Sequence, residues 1–264
     1  MASITSPRFL DVRLEHGILH VLINRPEKRN ALSQAVLGEL RAVFEAHAQH
    51  PELIAATLTG AGERCFAAGG DLQEFDSLRD REGTEAMAIH SRAALDSIRQ
   101  FPVPVVALLN GDAIGGGAEL AVACDMRVFA AHARMAFVQG AMGISPAWGG
   151  GADLLRLAGP ARALRLLTRA EFIDASLAFQ LGLADAVCPI DQEFASFQQA
   201  FLAPITARKP QVMRAFKRIA AGSRPVDGVV DPRAVEMASL VETWLHPDHW
   251  AAHDATLARI SGKS

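Results

Sequence analysis

The sequence predicts an α/β fold, with strands through the first two thirds of the chain and a helical C-terminal region. Three observations carry this expectation. LIAATLTG (53–60) and VVALLN (105–110) have the composition of strands buried on both faces. Glycine clusters follow them, AAGGDL at 67–72 and GDAIGGGA at 111–118, and helix-like segments follow the glycines. From about residue 193 the hydrophobic pattern is almost entirely helical.

The elements follow in chain order. Residues 9–15 and 18–24 alternate apolar and polar around His16-Gly17 and read as a hairpin. Ser33 is placed to cap a helix over 34–49. The strand 53–60 ends in the turn GAGE, and CFAAGGDLQEF leads through small residues into another helix start. A helix over 84–100 is stopped by Pro102 and Pro104. The strand 105–110 runs into NGDAIGGGAELAVACD. RVFA (127–130) and RMAFVQ (134–139) read as strands, and GISPAWGGG leads to helix signals over 152–168. FIDASLAFQLGLADAVC reads as strand, helix, glycine stop and strand. No close repeat, linker or low-complexity tract interrupts the pattern.

Composition excludes several function classes. The 264 residues are 50% hydrophobic and 21% charged, an ordinary globular balance. The formal net charge is −3, no basic run interleaves with aromatics, and Tyr is absent, so neither nucleic acid nor an anionic membrane is an expected partner. No apolar run approaches the roughly 20 residues of a membrane span, and the N-terminus lacks a signal-peptide apolar core. Cys65, Cys124 and Cys188 form no CxxC pair and are expected as reduced thiols in a cytoplasmic setting. His246, His249 and His253 have a spacing that shares a helix face, but such spacing is common and no metal is expected.

The glycines need a reason. A phosphate loop requires Lys-Ser or Lys-Thr after its last glycine, whereas Gly116 precedes Gly117 and Ala118. A dinucleotide fingerprint fails because Leu120 stands where a third glycine belongs. Tight turns with close packing are one reading. The other is that a helix opening at Gly116 offers unpaired N–H groups, with no Cβ in the way, to an oxygen gaining negative charge. AAGGDL has the same form, so the two clusters together would supply one N–H each. Glu119, among apolar neighbours, either complements the helix dipole or transfers a proton beside that oxygen.

LINRPEKRNALS, CFAAGGDLQEF and NGDAIGGGAELAVACDMRV, in this order and spacing, resemble the enoyl-CoA hydratase/isomerase (crotonase) superfamily. FIDASLAFQLGLADAV adds a fourth block, and the resemblance covers about residues 9–190. It implies a ClpP-like spiral of ββα units over 1–190 and a helical trimerisation or lid region over 191–264. It also implies a homotrimer or a dimer of trimers, and an acyl-CoA thioester substrate whose coenzyme A is the only cofactor-like group. By resemblance the oxyanion hole falls on the N–H groups of Gly70 and Gly116, and Glu119 is the general acid/base. Lys28 and Arg29 fall near the CoA phosphates, although a solvated loop accounts for them equally. Asn30, Ala31 and Leu32 lend backbone to the CoA nucleotide. Ala68, Gly69, Gly70, Asp71, Leu72 and Gln73 line the thioester and pantetheine.

One departure bears on the reaction. Hydratases of the family carry a second glutamate four residues before a glycine, and counting back from Gly143 reaches Gln139. An amide cannot exchange a proton near neutral pH, and no Asp or Glu lies between Ala131 and Gly151 to replace it. MGISPAWGGGADLL with GGGAEL is similar to the malonyl-type acyl-CoA decarboxylases, notably the ethylmalonyl-CoA branch. There the substrate loses its own carboxylate, and one proton donor suffices. Gln139 would orient and Trp148 would wall the acyl pocket, or Trp148 is simply a core aromatic. The expected function is therefore a lyase acting on a malonyl-type acyl-CoA. An enoyl-CoA hydratase or isomerase is the alternative, and a non-catalytic acyl-CoA-binding scaffold is the second.

Overall fold

In a computed structural model that describes residues 7–222, 237, 240–241 and 243–260, β1 (Leu10–Glu15) and β2 (Ile18–Ile23) form the expected antiparallel hairpin. Helix α1 (Gln34–His47) begins where Ser33 Oγ accepts the Val36 N–H at 3.2 Å. It buries Val36, Leu37, Leu40, Val43 and Phe44, an i, i+3, i+4, i+7 stripe that matches one helix face.

A strand–strand–helix unit then recurs. The first strands, β3 (Ala55–Gly60), β5 (Val105–Leu109) and β7 (Met126–Phe129), lie parallel in one sheet that ends on β10 (Ala186–Val187), in the order β1-β2-β3-β5-β7-β10. The second strands, β4 (Cys65–Ala67), β6 (Asp112–Ile114) and β8 (Arg134–Ala136), lie parallel in a smaller sheet that ends on β9 (Ile173–Asp174), in the order β4-β6-β8-β9. Each pair leads into helical structure: α2 (Leu72–Phe75) and α3 (Arg81–Arg99), then α4 (Gly116–Ala123), then a 3-10 turn (Val138–Met142) and α5 (Gly150–Ala158). This is the spiral of ββα units that the resemblance implies. Strands β3 and β5 have almost no exposed face, which explains their unbroken apolar sequences.

Three boundaries differ from expectation. β4 and β6 have three residues each and no readable alternation, so the sequence shows only small residues there. RMAFVQ stops being strand at Ala136, and its last residues enter the 3-10 turn. The helix over 152–168 is two helices, α5 and α6 (Pro160–Arg169), because Pro160 cannot continue a preceding helix and Gly159 has φ +78°. Beyond β9 (Ile173–Asp174), α7 (Ala175–Gln180) and β10 (Ala186–Val187) come α8 (Phe194–Thr206), α9 (Pro210–Gly222) and a terminal helix Pro247–Ile260. Among the described residues no helix is long and apolar enough to cross a membrane. The three cysteines are buried free thiols, and burial pushes Cys65 up to about 11 and Cys124 up to about 12.

Candidate active site

The small sheet brings the two glycine clusters together. β4 and β6 are parallel neighbours, so the turns that leave their C-terminal ends lie side by side. Gly69 has φ +90°, and a Cβ there would lie 2.8 Å from Ile114 O and 3.2 Å from Gly116 N, so only glycine admits the second turn this closely. Leu32 N–H donates to Gly69 O at 2.8 Å and Asp71 N–H donates to Leu32 O at 3.3 Å. That short bridge does not use the Gly70 N–H. Gly116 is the first residue of α4, where the helix supplies no acceptor for its N–H. β8 is the next parallel neighbour, with Ile114 opposite Ala136, and the 3-10 turn after it carries Gln139. Three adjacent strand ends thus deliver Gly70, Gly116 and Gln139 to one place.

Glu119 lies one turn into α4 and is 2% exposed. Its carboxylate is held by three donors. Gln139 Nε2 donates to Oε1 at 3.0 Å, and the N–H groups of Trp148 and Gly150 donate to Oε2 at 2.9 and 3.0 Å. Burial pushes this carboxyl above the usual carboxylate range, while the bonds from Gly150, Trp148 and Gln139 pull the other way. A carboxyl raised in this manner keeps its proton to a higher pH than an exposed glutamate does. Gly150 is required by contact, since a Cβ there would lie 2.3 Å from Glu119 Cγ. At Gly116 a Cβ would lie 2.3 Å from the Trp148 ring, so the ring rests directly on the opening turn of α4.

Arg99, fully buried at the end of α3, braces the donors of Glu119. Its guanidinium donates to Trp148 O at 2.9 Å, Asp153 Oδ2 at 2.7 Å and Asp96 Oδ1 at 2.9 Å. The turn 148–150 is therefore held from outside by Arg99 while its N–H groups face Glu119. Neither Arg99 nor Gly150 was legible as part of the site. The GGG of PAWGGG was the only hint, because the carboxylate it packs against lies 31 positions away.

A cavity of about 670 Å³ opens over these groups. Of the expected residues, Arg29, Ala68, Gly69, Gly70, Leu72, Gly116, Glu119, Gln139 and Trp148 line it. Lys28, Asn30, Ala31, Leu32, Asp71 and Gln73 stand outside its lining. Lys28 Nζ donates to Gln73 Oε1 at 2.9 Å on the surface. Asp71 pairs with Arg25 at 3.1 Å. Asn30 is buried, its amide donating to Ala61 O and Cys65 O and accepting from Arg25 N. The N–H groups of Asn30, Ala31 and Leu32 are also taken, by Arg25 O, Lys28 O and Gly69 O. These residues shape the strap beside the cavity, and their N–H groups are not open to a ligand.

Residues of the C-terminal segment form part of the cavity wall. Leu240, Trp244, His249 and Thr256 line the cavity, as do Ala170 and Phe172. His246, His249 and His253 do not converge on a common point. His246 is exposed, His249 Nδ1 donates to Met142 O at 2.7 Å, and His253 Nε2 lies 3.2 Å from Leu72 O. His253 instead groups with Asp76 and Asp254. Arg79 already bonds both of those carboxylates.

Comparison with known proteins places the chain among families and folds. The enoyl-CoA hydratase/isomerase family matches residues 13–240. The chain belongs to that family. It is 36% identical to the crotonyl-CoA hydratase of Syntrophomonas wolfei over 173 residues, 66% of each chain. It is 30% identical to the ethylmalonyl-CoA decarboxylase of Xenopus tropicalis over 213 residues, 80% of this chain and 71% of the relative. Among solved structures, an enoyl-CoA hydratase/carnithine racemase from Magnetospirillum magneticum superposes with a TM-score of 0.80 at 30% identity, covering 96% of this chain and 94% of that one. Hydratases and decarboxylases of the family thus both stand at similar distances.

Proposed function

We propose that this chain is an acyl-CoA lyase that decarboxylates a malonyl-type thioester through a stabilised enolate. The observation that carries the proposal is the single carboxylate. Among the described residues lining the cavity Glu119 is the only acid, and the group bonded to it from the neighbouring turn is an amide. The thioester oxygen would sit against the N–H groups of Gly70 and Gly116. The C–C bond to the substrate carboxylate breaks and CO2 leaves. The bond's electron pair enters the enolate, whose oxygen those two donors stabilise. Glu119, whose carboxyl burial pushes above the usual carboxylate range, gives its proton to the α-carbon and regains one from water. The three hydrogen bonds to Glu119 then stabilise the anion left behind. Arg29 and Arg259 at the cavity suit an anionic substrate. No cofactor beyond the coenzyme A of the substrate enters this scheme. The family resemblance supports a homotrimer or a dimer of trimers, which light scattering on the purified protein tests.

The test is to supply purified protein with methylmalonyl-, ethylmalonyl- and crotonyl-CoA. Release of CO2 from a malonyl-type thioester, faster than water addition to crotonyl-CoA, is the expected result. Fast hydration without CO2 release overturns it in favour of the hydratase or isomerase reading, which the identity to the crotonyl-CoA hydratase supports. Binding of CoA thioesters with no turnover of any of them would instead leave an acyl-CoA-binding scaffold.

A further inference from the structure

Arg99 is fully buried, yet it does not line the cavity. A buried charge is costly unless paired, and a paired one adds little stability over an apolar side chain. Its partners show what it holds. Nη2 donates to Trp148 O at 2.9 Å, and Nε donates to Asp153 Oδ2 at 2.7 Å. Asp153 is tied to the same turn, since its N–H donates to Gly149 O at 3.2 Å. Gly149 has φ +84°, and a Cβ there would lie 3.0 Å from Arg99 Nη2. The guanidinium thus rests against the turn between the two residues whose N–H groups hold Glu119. Arg99 and Glu119 clamp Trp148, Gly149 and Gly150 between them.

The clamp bears on a proton. The N–H groups of Trp148 and Gly150 stabilise the ionised form of Glu119 and oppose the effect of burial, and the Arg99 charge pulls the same way. A turn free to relax would lengthen these bonds, and the carboxyl would hold its proton more tightly. The other charges on elements packed against α4 are compensated. Asp96 of α3 pairs with Arg99, and Arg156 of α5 lies 3.7 Å from Asp153. Asp112 of β6 pairs with Arg134, and Arg127 of β7 pairs with Asp185. Cys65 of β4 is a buried thiol. Arg29, His249 and Arg259 share the cavity with Glu119.

We infer that Arg99 is a positioning residue for proton transfer, acting on Glu119 through the backbone of Trp148–Gly150 without touching the substrate. The inference rests on the reading of Glu119 as the proton donor. Arg127 is its matched comparison. It is 1% exposed, donates to Leu183 O and Cys124 O and pairs with Asp185, and none of these partners lines the cavity. One buried arginine serves the site and the other serves the fold.

The experiment titrates Glu119 in the full chain without ligand. The readout is the infrared C=O band of its protonated carboxyl, assigned as the band lost in Glu119→Gln. Arg99→Lys keeps the positive charge but not the planar fork, so it loosens the clamp without removing the cation. The midpoint should rise by roughly one pH unit, the size of losing one hydrogen bond to a charged group. Gly149→Ala presses a Cβ on the guanidinium and alters no charge. It should move the midpoint the same way, and it carries the test if Arg99→Lys does not fold. Arg127→Lys should lower the melting temperature comparably and leave the midpoint in place. On any thioester that is turned over, Arg99→Lys should lower the low-pH plateau of kcat about tenfold, with KM within about threefold. The falling limb of its kcat profile should move to higher pH. An unchanged midpoint in folded Arg99→Lys or Gly149→Ala, or an equal rise in Arg127→Lys, overturns the inference. The titration needs no substrate, so it is independent of the reaction. A raised midpoint without CO2 release from any malonyl-type thioester sinks the lyase and keeps the role of Arg99, and the converse keeps the lyase alone.

Discussion

The two glycine turns look alike in sequence and are built differently. The turn at Gly70 opens α2, a helix of four residues, and is pinned from outside by the Arg25–Asp71 ion pair and the Leu32 bridge. The turn at Gly116 opens α4, a helix of eight residues buried on nearly every side and packed against α5. Around the second turn, contacts are with groups that carry the chemistry: Trp148 lies on Gly116, and Gly150 lies on Glu119. A Cβ on the first turn would meet the Phe75 ring at 2.6 Å, and on the second the Trp148 ring at 2.3 Å, the tighter of the two. Two equivalent donors to one oxygen thus come from unequal surroundings, and substitution should separate them.

The largest effect is expected at the residue that has no counterpart on the first turn. Glu119→Gln should lower turnover by roughly a hundred- to ten-thousand-fold, the usual range for removing a proton-transfer group. Its melting temperature should match or exceed that of the unmutated protein. Burial raises the folded pKa of Glu119 above its unfolded value. Its contribution to stability is therefore intact below the unfolded pKa and is lost as pH rises through the folded one. Glutamine removes that loss, and Gln139 can turn its amide over to face it. Comparable turnover in this variant would remove Glu119 from the chemistry.

Next come the glycines themselves. Gly116→Ala drives a Cβ into the Trp148 ring at 2.3 Å, while Gly70→Ala meets the edge of the Phe75 ring at 2.6 Å. Loss of one oxyanion donor costs roughly a hundred- to a thousand-fold in turnover. Alanine keeps the N–H but displaces it, so Gly116→Ala, with the closer overlap, should approach that range, and Gly70→Ala should lose about tenfold less. Equal losses would show that the two surroundings do not matter. A pH profile gives a smaller, graded effect. With Glu119 as the acid, decarboxylation is constant at low pH and falls as pH rises through its raised pKa, whereas a base-driven reaction would rise instead. The smallest effect is expected at Asp71→Asn, which weakens the strap beside Gly70. It should raise KM a few-fold and leave kcat within about threefold, since its carboxylate pairs with Arg25 and lies outside the cavity lining.

The sequence showed some of this site and hid the rest for physical reasons. Hairpin, helix cap and buried strands obey local rules, so β1, β2, α1, β3 and β5 were readable from periodicity and Ser33. Glu119 stood out because a carboxylate among apolar neighbours needs an explanation, and Gln139 only because the family resemblance implies a glutamate at its place. The short strands β4 and β6 carry no period, yet they are what set the two glycine turns side by side. Arg99, Gly150 and His249 were invisible because each acts through a contact with a residue far along the chain, and nothing local marks it. Asn30 and Leu32 show the reverse case. Their motif is recognisable, and what the sequence does not show is that their N–H groups and the Asn30 amide hold the strap together.

The small sheet has a consequence of its own. Its strands β4, β6 and β8 have three residues apiece, whereas β1, β2 and β3 of the large sheet have six. All three groups that converge on the cavity hang from the ends of those short ladders. The chemistry is thus suspended from the weakest span of the framework, while the long strands bear the weight of the fold. On warming, catalytic power should fade before the bulk of the secondary structure does, as a bridge loses its deck while its piers still stand.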